Sequence, residues 1–264
     1  MTAHAYPTAA HADAAAAIVS FFAGRDETGA VLLVNSLARG KGVPGSDLDM
    51  VALAPAGTVI DYLHMDWVRF RDTDARIARF LGSGPFAVLH LDIEEAVIAP
   101  PDHPDDEYPD WFELMIGNWL VWGVPLWERD GFHAHLRADW LPFYDDELRR
   151  KRLGEVRRQC VDYVDHIPPY VSRDLYFQAF SRLWRAFQLF LQALFLHRRT
   201  YPIAYDKWIR EQVAEVLGLP ELYAQLPGLF EIGRFESDEV VGKAAHLRRL
   251  LDEYVPVEER QVET

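Results

Sequence analysis

The chain has 264 residues, half of them apolar or aromatic, which is enough for a sizeable core and excludes a disordered chain. Its formal net charge of −14 repels phosphate backbones, so a broad, sequence-independent grip on DNA or RNA is excluded, although a local basic pocket for a small anion is not. Cys160 is the single cysteine, so no intrachain disulfide can form, and a cytoplasmic setting is expected.

The amino terminus has an apolar stretch but lacks the basic start of a secretion signal. Asp13 followed by "AAAAIVSFF" predicts a capped first helix that ends at Gly24. Short β-rich runs come next: "AVLLVNS" (30–36), "LDMVALA" (48–54), "TVIDYLHMDWVRF" (58–70) and "FAVLHLDI" (86–93), punctuated by "PAG" and "GSGP". Between the last two, "DTDARIARFLG" reads as a helix opened by Asp72 or Asp74 and closed by Gly82. Strands alternating with helices indicate an α/β (α+β) layer, and the hairpin-like link after Leu53 points to a mixed sheet. The stretch 99–111 carries four prolines and five acidic residues and is expected as a surface loop. A helix "WFELMIGNWLVWG" follows, then a turn around "RDG" leading into a short strand with His133 and His135 on one face.

From about residue 143 the pattern becomes helical. A charged amphipathic helix ends at "PPY", and a long helix follows with Ser172 as its expected cap. "AYDKWIREQVAEVLG" and "DEVVGKAAHLRRLLDEYV" complete a bundle of about four helices. The most apolar segment, 186–196, is too short to span a bilayer and carries two glutamines. In the long helix, Gln178, Arg182, Arg185, Gln188 and Gln192 form a polar stripe, which is either a solvated strip or the lining of a cleft. The expected division is residues 1–138 and 139–264.

Chemistry is concentrated in "NSLARGKGVPGSDLDM". Asp47 and Asp49 lie two apart at the start of a strand, so both project from one face while Leu48 turns to the core. Two carboxylates that close require a cation or a proton between them, and adjacent hard oxygen ligands suit Mg²⁺ together with substrate phosphates. Asn35 and Ser36 stand where the preceding strand ends and a short helix can begin, leaving backbone N–H groups for an anion. Arg39 and Lys41 add positive charge, and Gly40, Gly42 and Gly45 permit a tight return.

A strand, then Gly-Ser, about ten residues, then Asp-x-Asp on the next strand is the pattern of the DNA polymerase β-like nucleotidyltransferase superfamily. The segment from Asn35 to Asp49 resembles it, with Asn35 at the place of the usual glycine. The remaining text is similar, more loosely, to the branch of antibiotic nucleotidyltransferases, in which a minimal catalytic domain precedes a helical bundle. Together these parts cover about half of the chain. The resemblance implies a mixed-sheet nucleotidyltransferase domain followed by an all-α helical bundle. It implies that Ser36 contacts a triphosphate, with Asn35, Arg39, Lys41 and Ser46 beside it, and that Asp47 and Asp49 bind two Mg²⁺ ions. A third carboxylate is then needed on a later strand. Asp92 is preferred, Glu94 and Asp61 are rivals, and the place is vacant if "DIEEA" opens a helix instead. Tyr201 and Lys207 of the helical half would reach the phosphates, or else serve as packing and surface residues.

The function implied is transfer of a nucleoside monophosphate, AMP from ATP first, to a hydroxyl of a small-molecule acceptor. Two alternatives stand beside it. One is a nucleotide-binding or interaction module without turnover; the other is an enzyme that modifies a protein partner through the acidic loop 99–111. The partners expected are a nucleoside triphosphate and an unidentified acceptor, with neither nucleic acid nor membrane, and a homodimer is left open.

Overall fold

The computed structural model describes residues 5–85, 87–101 and 109–257. The described residues separate into two compact units, and the division falls inside a helix. One unit takes the chain up to Ala99 together with Met115–Leu141; the other takes Pro100–Leu114 together with the chain from Pro142.

The first unit is built on a four-stranded mixed sheet in the order β3-β2-β1-β4. Strands β1 (Ala30–Leu33) and β2 (Leu48–Ala54) are antiparallel, with Leu33 opposite Met50. Strand β3 (Leu89–Glu95) runs parallel to β2, and β4 (Val124–Glu128) closes the other edge antiparallel to β1. Parallel pairing requires a crossover between β2 and β3. It is supplied by helices α3 (Asp61–Arg71) and α4 (Ala75–Leu81). Asp74 caps α4 by accepting from the N–H groups of Arg76 and Ile77, and Gly82 closes it, as the sequence predicts. The run 58–70 is not a strand. Leu63 and Trp67, one helical turn apart, are its buried side chains, which is the helical period and not the strand period.

Helix α1 (Ala9–Ala23) starts earlier than Asp13 implies, because the Thr8 hydroxyl accepts from the His11 N–H and serves as the cap. With α3 and α4 it covers one face of the sheet: Ala14, Ile18 and Phe22 pack with Val31, Leu33, Leu48, Met50, Trp67, Ile77 and Phe80. On the opposite face Ala30, Leu32, Val34, Val51 and Leu53 pack with Trp119, Phe132 and Leu136. Phe132 and Leu136 belong to helix α6 (Phe132–Trp140), where a strand is expected from the sequence. His133 therefore does not pair with His135 on a strand face. It is buried, its Nε2 donates to the Trp119 carbonyl at 2.9 Å, and burial pushes its pKa down.

The second unit is helical. Its long members are α7 (Asp146–Asp165), α9 (Tyr176–His197) and α11 (Glu239–Tyr254), with short helices α8 (Ile167–Val171) and α10 (Pro220–Gln225) and a wide π turn over Glu211–Val216. Helix α5 (Phe112–Ile116) begins here and runs into a second π turn, Gly117–Val121, of the first unit. Ser172 closes α8 and does not cap α9, whose N-cap position is Leu175. Among the described residues no helix is long and apolar enough to cross a membrane.

Glu113, 1% exposed, organises this unit. Its carboxylate accepts from the Nε and Nη2 atoms of Arg152, from the Tyr144 hydroxyl at 2.8 Å and from Gln192 Nε2 at 3.0 Å. Arg152 Nη2 also donates to both oxygens of Asp110. Burial alone would lower the Arg152 pKa, but its bonds to Glu113 and Asp110 reverse this and hold it charged. Burial and the Glu113 charge also push the Tyr144 hydroxyl well above its ordinary value, so it stays a donor. Gln188 and Gln192 of the expected polar stripe are thus interior residues of this unit. Removing one member of a buried ion pair strands the other charge. Arg152→Leu should therefore cost about 3–5 kcal/mol in urea unfolding. Arg248→Ala, which breaks exposed pairs with Asp165 and Asp252, should cost under about 1 kcal/mol. Equal losses from the two variants would refute this assignment.

Candidate functional site

The site lies at one end of β2, where the sheet passes from buried to exposed. Along β2, Leu48, Met50 and Ala52 point to the helix-covered face, so Asp47, Asp49, Val51 and Leu53 share the other. Val51 and Leu53 are buried there, whereas Asp47 and Asp49 are half-exposed. The aspartates therefore begin where the apolar cover of that face ends.

The turn expected to hold an anion is adjacent. Val34 N–H donates to the Asp49 carbonyl at 3.1 Å, and the chain then enters α2 (Asn35–Ala38). Asn35 has φ 56°, a left-handed conformation that glycine adopts without cost and that asparagine tolerates better than other residues. The usual glycine is replaced, but the backbone geometry that calls for it is retained. Lys41 N–H returns to the Ser36 carbonyl at 2.9 Å, while Gly40 takes φ 69°. A Cβ at Gly42 would run into the Leu37 side chain, so a larger residue there would require Leu37 to shift.

The loop is also held from α1. His11 is buried, and its Nε2 donates to the Ser46 carbonyl at 3.0 Å, which leaves Nδ1 to accept from the Thr8 hydroxyl at 2.7 Å. The residue immediately before Asp47 is thus tied to the first helix. Sequence reasoning did not find His11, because a helix taken to start at Asp13 leaves it outside. Ser46 Oγ accepts from the Val43 N–H at 2.9 Å and closes the turn.

Beyond the aspartates, β3 presents His90, Asp92 and Glu94 on the same face, with Leu89, Leu91 and Ile93 turned to the core. The strand continues to Glu95, so "DIEEA" does not open a helix. The parallel register sets His90 opposite Asp49, Asp92 opposite Val51 and Glu94 opposite Leu53. Burial first, then the Asp92 charge, raises the Glu94 pKa. Asp61 is not on the sheet at all: it opens α3. His90 Nε2 stands 3.8 Å from Asp47 Oδ2.

Among the described residues no group of three His, Cys, Asp or Glu side chains is gathered around a cation position. Asp47 and Asp49 are carboxylates of the type a hard divalent ion takes, one or two at a time, with phosphate and water completing its shell. Among the described residues no third carboxylate is gathered with them.

Arg39 is half-buried at the end of α2, and Lys41 is exposed on the loop. Lys207 belongs to the second unit. Its side chain is exposed, and its carbonyl accepts from Gln212, whose amide also binds the backbone of Ile203 and Ala204. Tyr201 is a packing residue: it is buried, stacks on Phe143, and its hydroxyl accepts from the Tyr144 N–H. Of the acidic loop 99–111, residues 102–108 lie outside the described residues.

No family model and no curated protein matches this chain. Among solved structures it is similar to a nucleotidyltransferase-like protein from Exiguobacterium sibiricum 255-15, at 16% identity and a TM-score of 0.46. The alignment covers 91% of this chain and 74% of that one. A likeness at that level assigns no activity here.

The left-handed turn is open to a direct check. Asn35→Gly should leave stability within a few tenths of a kcal/mol of the original. Asn35→Val should lower it by about 1–2 kcal/mol in urea unfolding, because a β-branched residue is strained at that φ. A valine variant as stable as the parent would show that Asn35 is not left-handed.

Proposed function

We propose that this protein is a nucleotidyltransferase that moves a nucleoside monophosphate, AMP from ATP in the first instance, to a hydroxyl of a small-molecule acceptor. One observation carries the reading. A strand ends in a left-handed Asn35-Ser36 turn, and that turn lies beside two aspartates on one face of the antiparallel neighbour. That arrangement offers backbone N–H groups to a triphosphate and carboxylates to its counter-ion at the same end of two paired strands.

In this reading α2 and the loop bearing Arg39 and Lys41 bind the phosphates and orient the α-phosphorus toward the acceptor. Asp47 and Asp49 would hold Mg²⁺, which supplies charge neutralisation for the triphosphate and for departing pyrophosphate. The acceptor oxygen forms a bond to the α-phosphorus as the bond to the β-phosphate oxygen breaks, and the acceptor proton passes to solvent. The chain's contribution is positioning and electrostatics, with no covalent intermediate on a side chain. The net charge of −14 favours a cationic acceptor over an anionic one.

A second reading has an observation in its favour. With Asp92 opposite Val51 and, among the described residues, no third carboxylate gathered with the pair, the site could bind a nucleotide without turning it over.

The two separate experimentally. Purified protein with Mg²⁺, labelled nucleoside triphosphates and a panel of hydroxylated cationic acceptors should release pyrophosphate and label the acceptor. Asp47→Ala combined with Asp49→Ala should reduce that release by at least about 100-fold with the fold intact by circular dichroism. Nucleotide binding that depends on both aspartates, without pyrophosphate release on any acceptor, would establish the second reading.

A further inference from the structure

We infer that the protein self-associates through the open edge of β3, which pairs antiparallel with β3 of a second copy about a two-fold axis at Leu91. The inference is independent of the nucleotide reading of Asp47 and Asp49.

The argument begins with the backbone of β3. Leu48 N–H donates to the Val88 carbonyl at 2.9 Å, and Ala96 N–H to the Ala54 carbonyl at 2.8 Å. That phase of the parallel ladder gives the N–H and C=O groups of His90, Asp92 and Glu94 to β2. Leu89, Leu91 and Ile93 turn theirs outward, where none of the described residues takes them up. The two edges of the sheet differ in how they are guarded. Strand β4 has five residues, contains Pro125 and meets β1 with a register shift. Strand β3 has seven residues in unbroken register and contains neither proline nor lysine, so nothing in its backbone blocks a further strand.

The side chains identify the occupant. Outward groups must meet outward groups, so odd-numbered residues of one copy pair with odd-numbered residues of the other. An axis at Asp92 would set Asp92 against itself, and an axis at Ile93 would set Asp92 against Glu94 twice, which is repulsive. An axis at His90 would set His90 against itself and leave Asp92 opposite Val88. With the axis at Leu91, His90 of each copy faces Asp92 of the other. An imidazole always has a nitrogen donor for a carboxylate, and these are the pairs in which opposed side chains stand closest. The same register sets Leu91 against Leu91 and Leu89 against Ile93, which continues the apolar row of one copy into the other.

Charge thus admits one register of β3 against itself and opposes its neighbours. The side chains of His90 and Asp92 are exposed, so each is open to a second copy. Three pairs of outward residues exchange about six backbone hydrogen bonds across the axis. The two four-stranded sheets become one, with the α1 layers on one face and the rows bearing Asp49, His90 and Asp92 on the other.

The test uses the full chain. Sedimentation equilibrium should give twice the chain mass of 30.3 kDa. His90→Asp sets like charges opposite each other and should weaken the dimer about ten-fold or more, and adding Asp92→His should restore it. Oxidation with copper phenanthroline checks the register without relying on those variants. Leu91→Cys should crosslink to itself, because residues at the axis have Cα atoms about 5.5 Å apart, within disulfide reach. Leu89→Cys should not, because the two copies of residue 89 lie about 13 Å apart along the strands. The parent chain should not crosslink either, since Cys160 is buried. A monomer at every concentration would overturn the inference. So would a dimer in which Leu91→Cys fails to crosslink, or in which Leu89→Cys crosslinks as well.

Discussion

From Met50 to Ala54, β2 is buried on both faces, with β1 on one side and β3 on the other. A strand so placed has one admissible register, because a slip of one residue would carry Met50 and Leu48 out of the α1 layer and Asp49 into it. Everything chemical in the first unit follows from that constraint. The aspartates emerge on the face opposite α1, the β1–α2 turn arrives beside Asp49, and β3 presents its own polar face to theirs. The site is therefore a boundary effect of the sheet: carboxylates occupy the same face as Val51 and Leu53 at the point where Trp119, Phe132 and Leu136 no longer cover it.

The second unit has a different organising principle. A single buried carboxylate, Glu113, gathers an arginine from α7, a glutamine from α9 and the Tyr144 hydroxyl, while Arg152 recruits Asp110 as well. Buried charges are tolerated only when their bonding capacity is met, and here both oxygens of Glu113 are occupied. The arrangement fixes where the segment leading into α5 can lie against α7 and α9. It also explains why glutamines occur inside an otherwise apolar helix: Gln192 serves Glu113 and does not face solvent.

What could be read from the sequence divides along the range of the interactions involved. The β1 and β2 strands and α4 with its Asp74 and Gly82 ends follow from local periodicity and capping, and they stand as expected. The run 58–70 misled because Val59, Ile60, Tyr62, Val68 and Phe70 have strand propensity, while the choice of helix is made by Leu63 and Trp67 packing into the α1 layer. The segment "FHAHL" misled in the same way, its alternation overridden by burial of Phe132 and Leu136 against the sheet. Ser172 carries a cap-like side chain yet ends one helix instead of starting the next. None of these outcomes has a local signature.

The third position of the site shows the limit most sharply. A carboxylate at the end of an apolar strand satisfies every local criterion, and Asp92, Glu94 and His90 all lie on the correct face by simple alternation. Which of them stands beside Asp49 depends on how β3 slides along β2. That displacement is set by Leu89, Leu91 and Ile93 seating opposite Leu48, Met50 and Ala52 on the far side of the sheet. The identity of the residue beside Asp49 is thus decided by apolar packing on the opposite face. Moving Asp92 into the place of His90 would require the whole apolar row to shift by two positions, leaving Leu89 beyond the start of β2 and Ile93 beside Met50. The core thus holds His90, and not Asp92, beside Asp49.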